Sequence, residues 1–534
     1  MAAPAGEPPR RVTESSGEIN LYYRGRFLYP RPRPQSSTEQ KAAALNLQDR
    51  TLYLVPSPLL GYGLKTLMDR RPPDCLFIFV EPDPRLRELE PGEGRAAPLL
   101  AGREELEAWL QAQDFSRIRR AELLPLSHGY SLEAPRYRFF LDLARSYLNR
   151  YWKNRAVLVQ LGPLWIKNLF KNLSRLPSGA SPARLKTELP VFTAGAGESL
   201  EDLLPELRTH RRRFFLLGVD TALGALLDGG LVPDAVIALE AQHINLLDFL
   251  GLEGRKIPLL CDLTSAPALL NHYPGEKYFY LTPFADLAVF KELSQAGIRL
   301  LTLPPLGSVG LSALAAALYL SGGPVFFAGL DFAFAPGKTH ARSSPALLSR
   351  LATCRRTGGL EDLAPGFDPP LRRVQGKDGA ALLSSPNLLD YRAYLSFLNG
   401  GGRLFDLGRR GLPLAIPRFA GLEEALTKTA GLVFSGAPGP PEPPEIRAGR
   451  VGAFLAAQDQ ALGELLQTGR RWLAGERGGE AEGELRGRLK ALDYLTCTFA
   501  DDPPGEEGPL GESYVKRALA WAGYIRGVIK NFPV

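Results

Sequence analysis

The 534-residue chain is 45% hydrophobic and 23% charged with a formal net charge of +7, the proportions of an ordinary globular chain with room for roughly three or four domains. Its basic residues are dispersed apart from Arg208–Arg213, and no zinc-finger spacing, aromatic RNA-binding motif or basic helix occurs, so no nucleic-acid partner is expected. Cys75, Cys261, Cys354 and Cys497 are far apart and form no C-x-x-C pair, which argues against a cysteine zinc site or a disulfide framework and fits a cytoplasmic location.

The polar, Pro-rich start carries no apolar signal segment. After it, TLYLVPSPLLGYGLKTLMDRRPPDCLFIFVEPD reads strand, turn, helix, strand, with Glu81 at the end of the second strand. This is the outline of a Rossmann-like opening, in which an acid at that place can hold a ribose. Pro56 and Pro58 stand where a phosphate wants glycine and free N–H groups, so the segment reads either as a structural module or as a cofactor site. We assign residues 1–125 to this module. Residues 126–185 form a helical connector, because Tyr137–Leu176 repeats apolar and aromatic residues at helical spacing.

A second α/β region spans 186–434. PVFTAGAGESLEDLLPEL leads a strand into Gly195-Ala196-Gly197-Glu198-Ser199, where glycine allows close backbone approach and a helix start offers N–H groups to a phosphate. Ser199 and Asp202 have the spacing of a capping box. Valine at Gly197 is therefore expected to block a nucleotide and leave the fold intact. Further strand–turn–helix units place Asp220, Glu240 and Asp262 at strand ends.

From Leu300 to Leu330 no charged residue occurs, but Pro304, Pro305, Gly307, Gly310, Gly322, Gly323 and Pro324 divide the stretch. A membrane helix needs ~20 uninterrupted apolar residues, so the stretch is read as strand (Arg299–Leu303), small-residue helix (Val309–Ser321) and strand (Val325–Gly329), a βαβ unit with no transmembrane segment. Asp331, Lys338, Thr339 and His340 follow the second strand, where ligands of open α/β sheets bind. The region beyond His340 reads as a mobile insertion. A Pro-rich linker occupies 435–445, and 446–534 has the amphipathic pattern of a helical region suited to docking a partner.

The ordered set GAGESL, GVDTALGALLDGGLVPDAVIALE, GSVGLSALAAALYLSGG and FFAGLDFAFAPGKTHA resembles the motility-associated-factor (Maf) glycosyltransferases and the related 6-hydroxymethylpterin pyrophosphokinase (MptE-like) domain. The resemblance covers about Pro190 to Leu426, and more loosely Asn20 to Glu90. It implies an α/β protein with a Rossmann-like N-terminal module, a sialyltransferase-like or MptE-like parallel-sheet domain and a helical C-terminal domain. It also implies a cytoplasmic enzyme that moves a nonulosonic, sialic-acid-like sugar from a CMP-sugar to Ser or Thr of flagellin or another protein. By that resemblance Gly195, Gly197 and Ser199 face the CMP phosphate, Asp220 and Glu240 line the nucleotide, Ser308 lies near the sugar, and Asp331, Lys338 and His340 form the catalytic end. Glu198, Glu240 and Leu330 depart from the usual Pro, Asp and Gln. The nucleotide-sugar is then a substrate and no resident cofactor is assigned. Two alternatives stay open: a diphosphokinase using ATP with Mg²⁺ on strand-end carboxylates, and a catalytically silent scaffold of the flagellar or envelope machinery.

Overall fold

Short runs without a polar face suit strands buried on both sides, and the chain builds two parallel sheets from such runs. In the computed structural model residues 7–89, 97–252, 254–357, 371–398, 400–431, 444–500 and 508–531 are described. They divide into two compact units, one reaching Val159 and including Phe499 and Ala500, the other holding the remainder from Gln160.

The first unit opens with an antiparallel sheet of β1 (Arg10–Thr13), β2 (Ile19–Tyr23) and β3 (Arg26–Phe27). Its parallel sheet contains β4 (Thr51–Pro56), β5 (Leu76–Val80), β6 (Leu99–Leu100) and β7 (Arg120–Leu123), in the order β6-β5-β4-β7. The core beneath it takes Leu52, Leu54, Ile78 and Val80 from the strands, with Tyr137, Phe140 and Leu148 from the start of the Ala134–Leu173 helix. Glu81, at the end of β5, is buried. Its buried carboxylate accepts from Ser57 Oγ (2.7 Å), Asp83 N (2.9 Å) and Tyr137 Oη (3.3 Å), and burial pushes it up to about 7.

The second unit is built on β8 (Val191–Ala194), β9 (Phe215–Val219), β10 (Ala235–Ala238), β11 (Leu259–Asp262), β12 (Lys277–Leu281), β13 (Leu301–Thr302), β14 (Val325–Ala328) and β17 (Leu404–Asp406), the last following a hairpin of β15 (Arg372–Gln375) and β16 (Ala381–Ser384). The eight-stranded sheet is ordered β13-β12-β11-β10-β9-β8-β14-β17, and each pair in it is parallel. Strand, helix and strand appear in the uncharged stretch as read, with two differences. The edge strand is only Leu301–Thr302, stopped by Pro304 and Pro305, and its two strands are not neighbours. Between them the Val309–Leu320 helix crosses the sheet, packing on β8, β9, β10 and β14. It is apolar on every side, with Leu311, Ala313, Leu314, Ala316 and Ala317 buried, as a helix lying deep in a core must be.

Part of the expected insertion is ordered helix: Pro345–Thr353 is capped by Ser344, whose Oγ accepts from Leu347 N. The rest of that insertion, 358–370, and the linker from Ser435 to Pro443 lie outside the described residues, and Pro444 and Glu445 begin the Pro444–Leu473 helix. That helix packs with Gly479–Ala491 and Glu512–Asn531, pinned by Arg488 Nη1 to Glu464 (2.6 Å) and Arg526 Nε to Asp459 (2.8 Å). Among the described residues no helix is long and apolar enough to cross a membrane.

Gly523 and Gly527 sit inside the last helix with open space where a Cβ would stand. Helical glycine costs about 0.5–1 kcal/mol relative to alanine. Gly523→Ala and Gly527→Ala are each expected to raise the melting temperature, and the double variant to raise it roughly additively; unchanged or lower values in calorimetry would contradict this packing of the helix.

Candidate functional site

A ligand crevice of a parallel sheet opens beyond the carboxyl ends of strands, where the strand order reverses. Here the chain runs outward from β8 to β13 and then returns to the other side of β8 with β14, so the reversal lies between β8 and β14. The two loops leaving these strands are sewn together. Gly195 N donates to Ala328 O and Gly197 N to Gly329 O, both at 2.8 Å. Ser199 N donates to Asp331 Oδ2 (2.9 Å), while the Ser199 hydroxyl donates to Asp331 Oδ1 and accepts from Gly329 N (2.8 Å).

Three N–H groups expected to face a phosphate are thus spent within the protein. The capping box is also replaced: Ser199 turns to Asp331, and Asp202 pairs with Arg410 at 3.0 Å. The glycines have a packing reason. A Cβ on Gly195 would fall 2.3 Å from Gly329 O, one on Gly197 2.5 Å from Asp331 Oδ2, and one on Gly310 2.3 Å from Leu330 Cδ2. Leu330 therefore fills the space that Gly195 and Gly310 leave open.

In front of this seam is a cavity of about 170 Å³. Gly197, Ser308, Asp331 and His340 are on its wall; Gly195 and Ser199 are behind it, and Lys338, Asp220 and Glu240 are off it. Its remaining wall comes partly from Phe332, Phe334, Leu388 and Tyr391, which the sequence reading did not select. Phe332 has φ 53°, a left-handed conformation that is costly for an aromatic residue and is typically found at functional sites.

His340 Nδ1 is 3.0 Å from Thr339 Oγ1, and burial, with Arg350 nearby, lowers the imidazole to about 4, so it is neutral at pH 7. Lys338 Nζ reaches Glu198 (3.1 Å) and Glu201 (3.0 Å), and Arg410 also binds Glu198. The unusual carboxylate at 198 is therefore offset by two cations. Arg342 N donates to Glu201 Oε1 (2.7 Å) and Ala341 N to Ala196 O (2.8 Å), so the segment carrying His340 is strapped on both sides.

The strand-end carboxylates serve the fold. Asp220 accepts from Thr221 N (2.8 Å) and Asn245 Nδ2 (2.8 Å), Asp262 from Thr264 N (2.7 Å) and Thr282 N (2.7 Å), and Glu240 from Gln242 N (2.9 Å). Burial raises Asp220, Asp262 and Asp331 to about 6 and, with Asp220 close by, Asp248 to about 7. Among the described residues no three His, Cys, Asp or Glu side chains gather in a way that could hold a metal ion. The sequence also hid a buried ion pair below the seam. Lys377 Nζ donates to Asp406 Oδ2 (2.5 Å) and Gly408 O (3.1 Å), and both side chains are almost inaccessible. Nothing in the local pattern of either residue signals it, because the turn after β15 and the end of β17 meet only in the folded chain.

With this geometry in view, comparisons place the protein. A model of the family described as 6-hydroxymethylpterin diphosphokinase MptE-like matches residues 167–337. An uncharacterized protein of Treponema pallidum (strain Nichols) is 30% identical over 424 residues, covering 76% of this chain and 73% of that one. The chain carries an MptE-like domain and shares a family with this Treponema pallidum protein. A second uncharacterized protein of the same organism is 34% identical over 92 residues, which are 17% of this chain and 43% of its own. The MptE-like region contains β8 to β14 and hence the whole seam. In three dimensions the chain resembles the Maf glycosyltransferase from Magnetospirillum magneticum AMB-1, with TM-score 0.53 and 15% identity, covering 99% of this chain and 87% of that one. The chain thus has a Maf-type fold.

Gly197→Val is now expected to unfold or strongly destabilise the MptE-like domain, since the new side chain meets Asp331 and the Gly329 carbonyl. A cooperative melt at the parent temperature would show the seam to be looser than described. A second prediction follows from Asp248. Its folded form keeps a proton that the unfolded chain releases near pH 4, so stability is lost as pH rises from about 4 to about 7. Asp248→Asn should melt several degrees above the parent at pH 8 and close to it at pH 4; a gain equal at both pH values would rule out charge as the cause.

Proposed function

We propose that the protein is a glycosyltransferase that carries a nonulosonic, sialic-acid-like sugar from a CMP-sugar to Ser or Thr of flagellin or a related protein. The observation that supports this most is the extent of the structural likeness. The MptE-like match ends at residue 337, whereas the likeness to the Maf glycosyltransferase covers 99% of the chain, including the modules on both sides. Such flanking modules suit a protein acceptor better than a small one.

In this reading the sugar carbon is approached by the acceptor hydroxyl as its bond to the CMP phosphate oxygen breaks, and the bonding pair leaves with the phosphate. The neutral imidazole of His340 takes the hydroxyl proton, a task for which a general base on the cavity wall is placed. The departing charge is met by the start of the Val309–Leu320 helix, where Ser308, Val309 and Gly310 line the cavity and the first N–H groups have no intrahelical acceptor. Lys338 reinforces it by exchanging Glu198 for phosphate. Asp331 acts by holding Ser199 and the seam in place. A diphosphokinase would need Mg²⁺, and the strand-end carboxylates do not fit that role because they are committed to backbone and side-chain donors.

The test is transfer from a CMP-nonulosonate to flagellin of the same organism, read by intact mass. His340→Ala should lower transfer ~100-fold or more while CMP affinity changes little. An unmodified flagellin mass with the parent enzyme, under conditions where a related transferase succeeds, would leave only the scaffold reading.

A further inference from the structure

An amphipathic helix ordinarily turns its apolar row inward. His243–Phe249, which follows the carboxyl end of β10, turns one apolar row outward and a polar row inward. It is a 3₁₀ helix of seven residues, longer than such helices usually run, and side chains at i and i+3 eclipse one another in this geometry. Three rows result. Phe249 is buried and meets the Tyr273 ring edge-on, with centroids 5.4 Å apart. Buried Asn245 and half-buried Asp248 form the polar row: Asn245 Nδ2 donates to Asp220 Oδ2 (2.8 Å) and to Asp248 Oδ2 (3.1 Å). The third row, Ile244, Leu247 and Leu250, is 61%, 42% and 69% exposed.

Rotating the segment by a third of a turn would bury the aliphatic row and return the amide and the carboxylate to water. Both changes favour folding, since burial stabilises Ile and Leu and penalises polar groups. The segment is held in the other orientation by the Asn245–Asp220 bond, and Asp220 stands between Val219 and Thr221 of the cavity wall. The aliphatic row is thus tied to the cavity through one pair of side chains. No Lys, Arg, Asp or Glu is among the exposed residues from Gln242 to Gly251, so this surface has no charge with which to select a charged partner. It amounts to roughly a few hundred Å², the size of a functional patch on a monomer, and falls short of the ~800 Å² a side that a stable dimer covers. A brief contact with an apolar stretch of polypeptide fits both limits; a permanent dimer exceeds the second.

We infer that the row of Ile244, Leu247 and Leu250 is the docking surface for an apolar, uncharged stretch of the acceptor polypeptide, which brings a neighbouring Ser or Thr to the cavity. The identity of the partner rests on the transferase reading; the surface itself does not.

The experiment follows flagellin of the same organism in two ways: its binding to the full chain by surface plasmon resonance without donor, and its modification with a CMP-nonulosonate. In the triple variant Ile244→Ser, Leu247→Ser, Leu250→Ser, binding should weaken and the KM for flagellin should rise, each about tenfold or more, while kcat and CMP affinity stay within about twofold. Ile244→Ser alone, at the more exposed end of the row, should give about threefold and serves the same purpose if the triple variant does not fold. Leu189→Ser, 43% exposed and placed before β8 at the amino end of the same sheet, should change neither quantity. Flagellin binding that is absent in the parent, or equal in the parent and a folded variant, would overturn the inference. So would parent self-association in sedimentation, or binding to phosphatidylglycerol vesicles, that the triple variant loses, because the face would then belong to a second copy or to a lipid surface. Flagellin binding that depends on this row in a chain that transfers no sugar would defeat the transferase reading alone; transfer with the same KM in parent and triple variant would defeat this inference alone.

Discussion

The joint between the ends of β8 and β14 governs the rest of the second unit. Two backbone hydrogen bonds and the doubly engaged Ser199–Asp331 pair hold the loops so closely that no side chain fits between them. Because this joint falls at the reversal of strand order, one arrangement both closes the core and shapes the cavity. The left-handed turn at Phe332 starts immediately afterwards, and Leu412 N donates to the Asp331 carbonyl (2.8 Å), so the loop after β17 hangs from the same point.

Charge is distributed to match. Acids at strand ends are buried and satisfied by short-range donors, and their raised affinity for protons reflects low hydration more than any exposed reactivity. The cations lie further out, balanced against Glu198, Glu201, Asp202 and Glu206. This paired layer links three loops at the partly exposed surface, where each single contact contributes little but the shared partners restrict the loops collectively. Behind it, the Lys377–Asp406 pair cannot be dismantled from one side without leaving a charge stranded in the interior.

Much of this was legible in the sequence because it depends on local pattern. Apolar runs gave the strands of both sheets, prolines and glycines cut the uncharged stretch correctly into strand, helix and strand, and the position after β14 pointed to Asp331 and His340. What failed depends on distance along the chain. Strand adjacency is not encoded in the Leu300–Leu330 stretch, so its two strands looked like neighbours although the sheet's width separates them. The glycine turn looked like a phosphate cradle because its real neighbour, Gly329 with Asp331, comes some 130 residues later. Tyr391 looked like any helical aromatic; its place on the cavity wall arises from Gly307, whose own role is visible only in three dimensions.

Leu330 gives these contacts a historical consequence. Its side chain sits against two glycines far apart in sequence, Gly195 and Gly310, each of which would collide with it if it carried even one more carbon. Positions 310 and 330 therefore form a lock, while position 195 is held to glycine by the Gly329 backbone as well as by Leu330. A lineage that shrinks position 330 first opens room at 310, whereas one that enlarges Gly310 first meets a barrier, and at 195 the Gly329 carbonyl, 2.3 Å from any Cβ, keeps glycine in place either way. The order of substitutions, and not just their identity, decides which variants of this crevice are reachable.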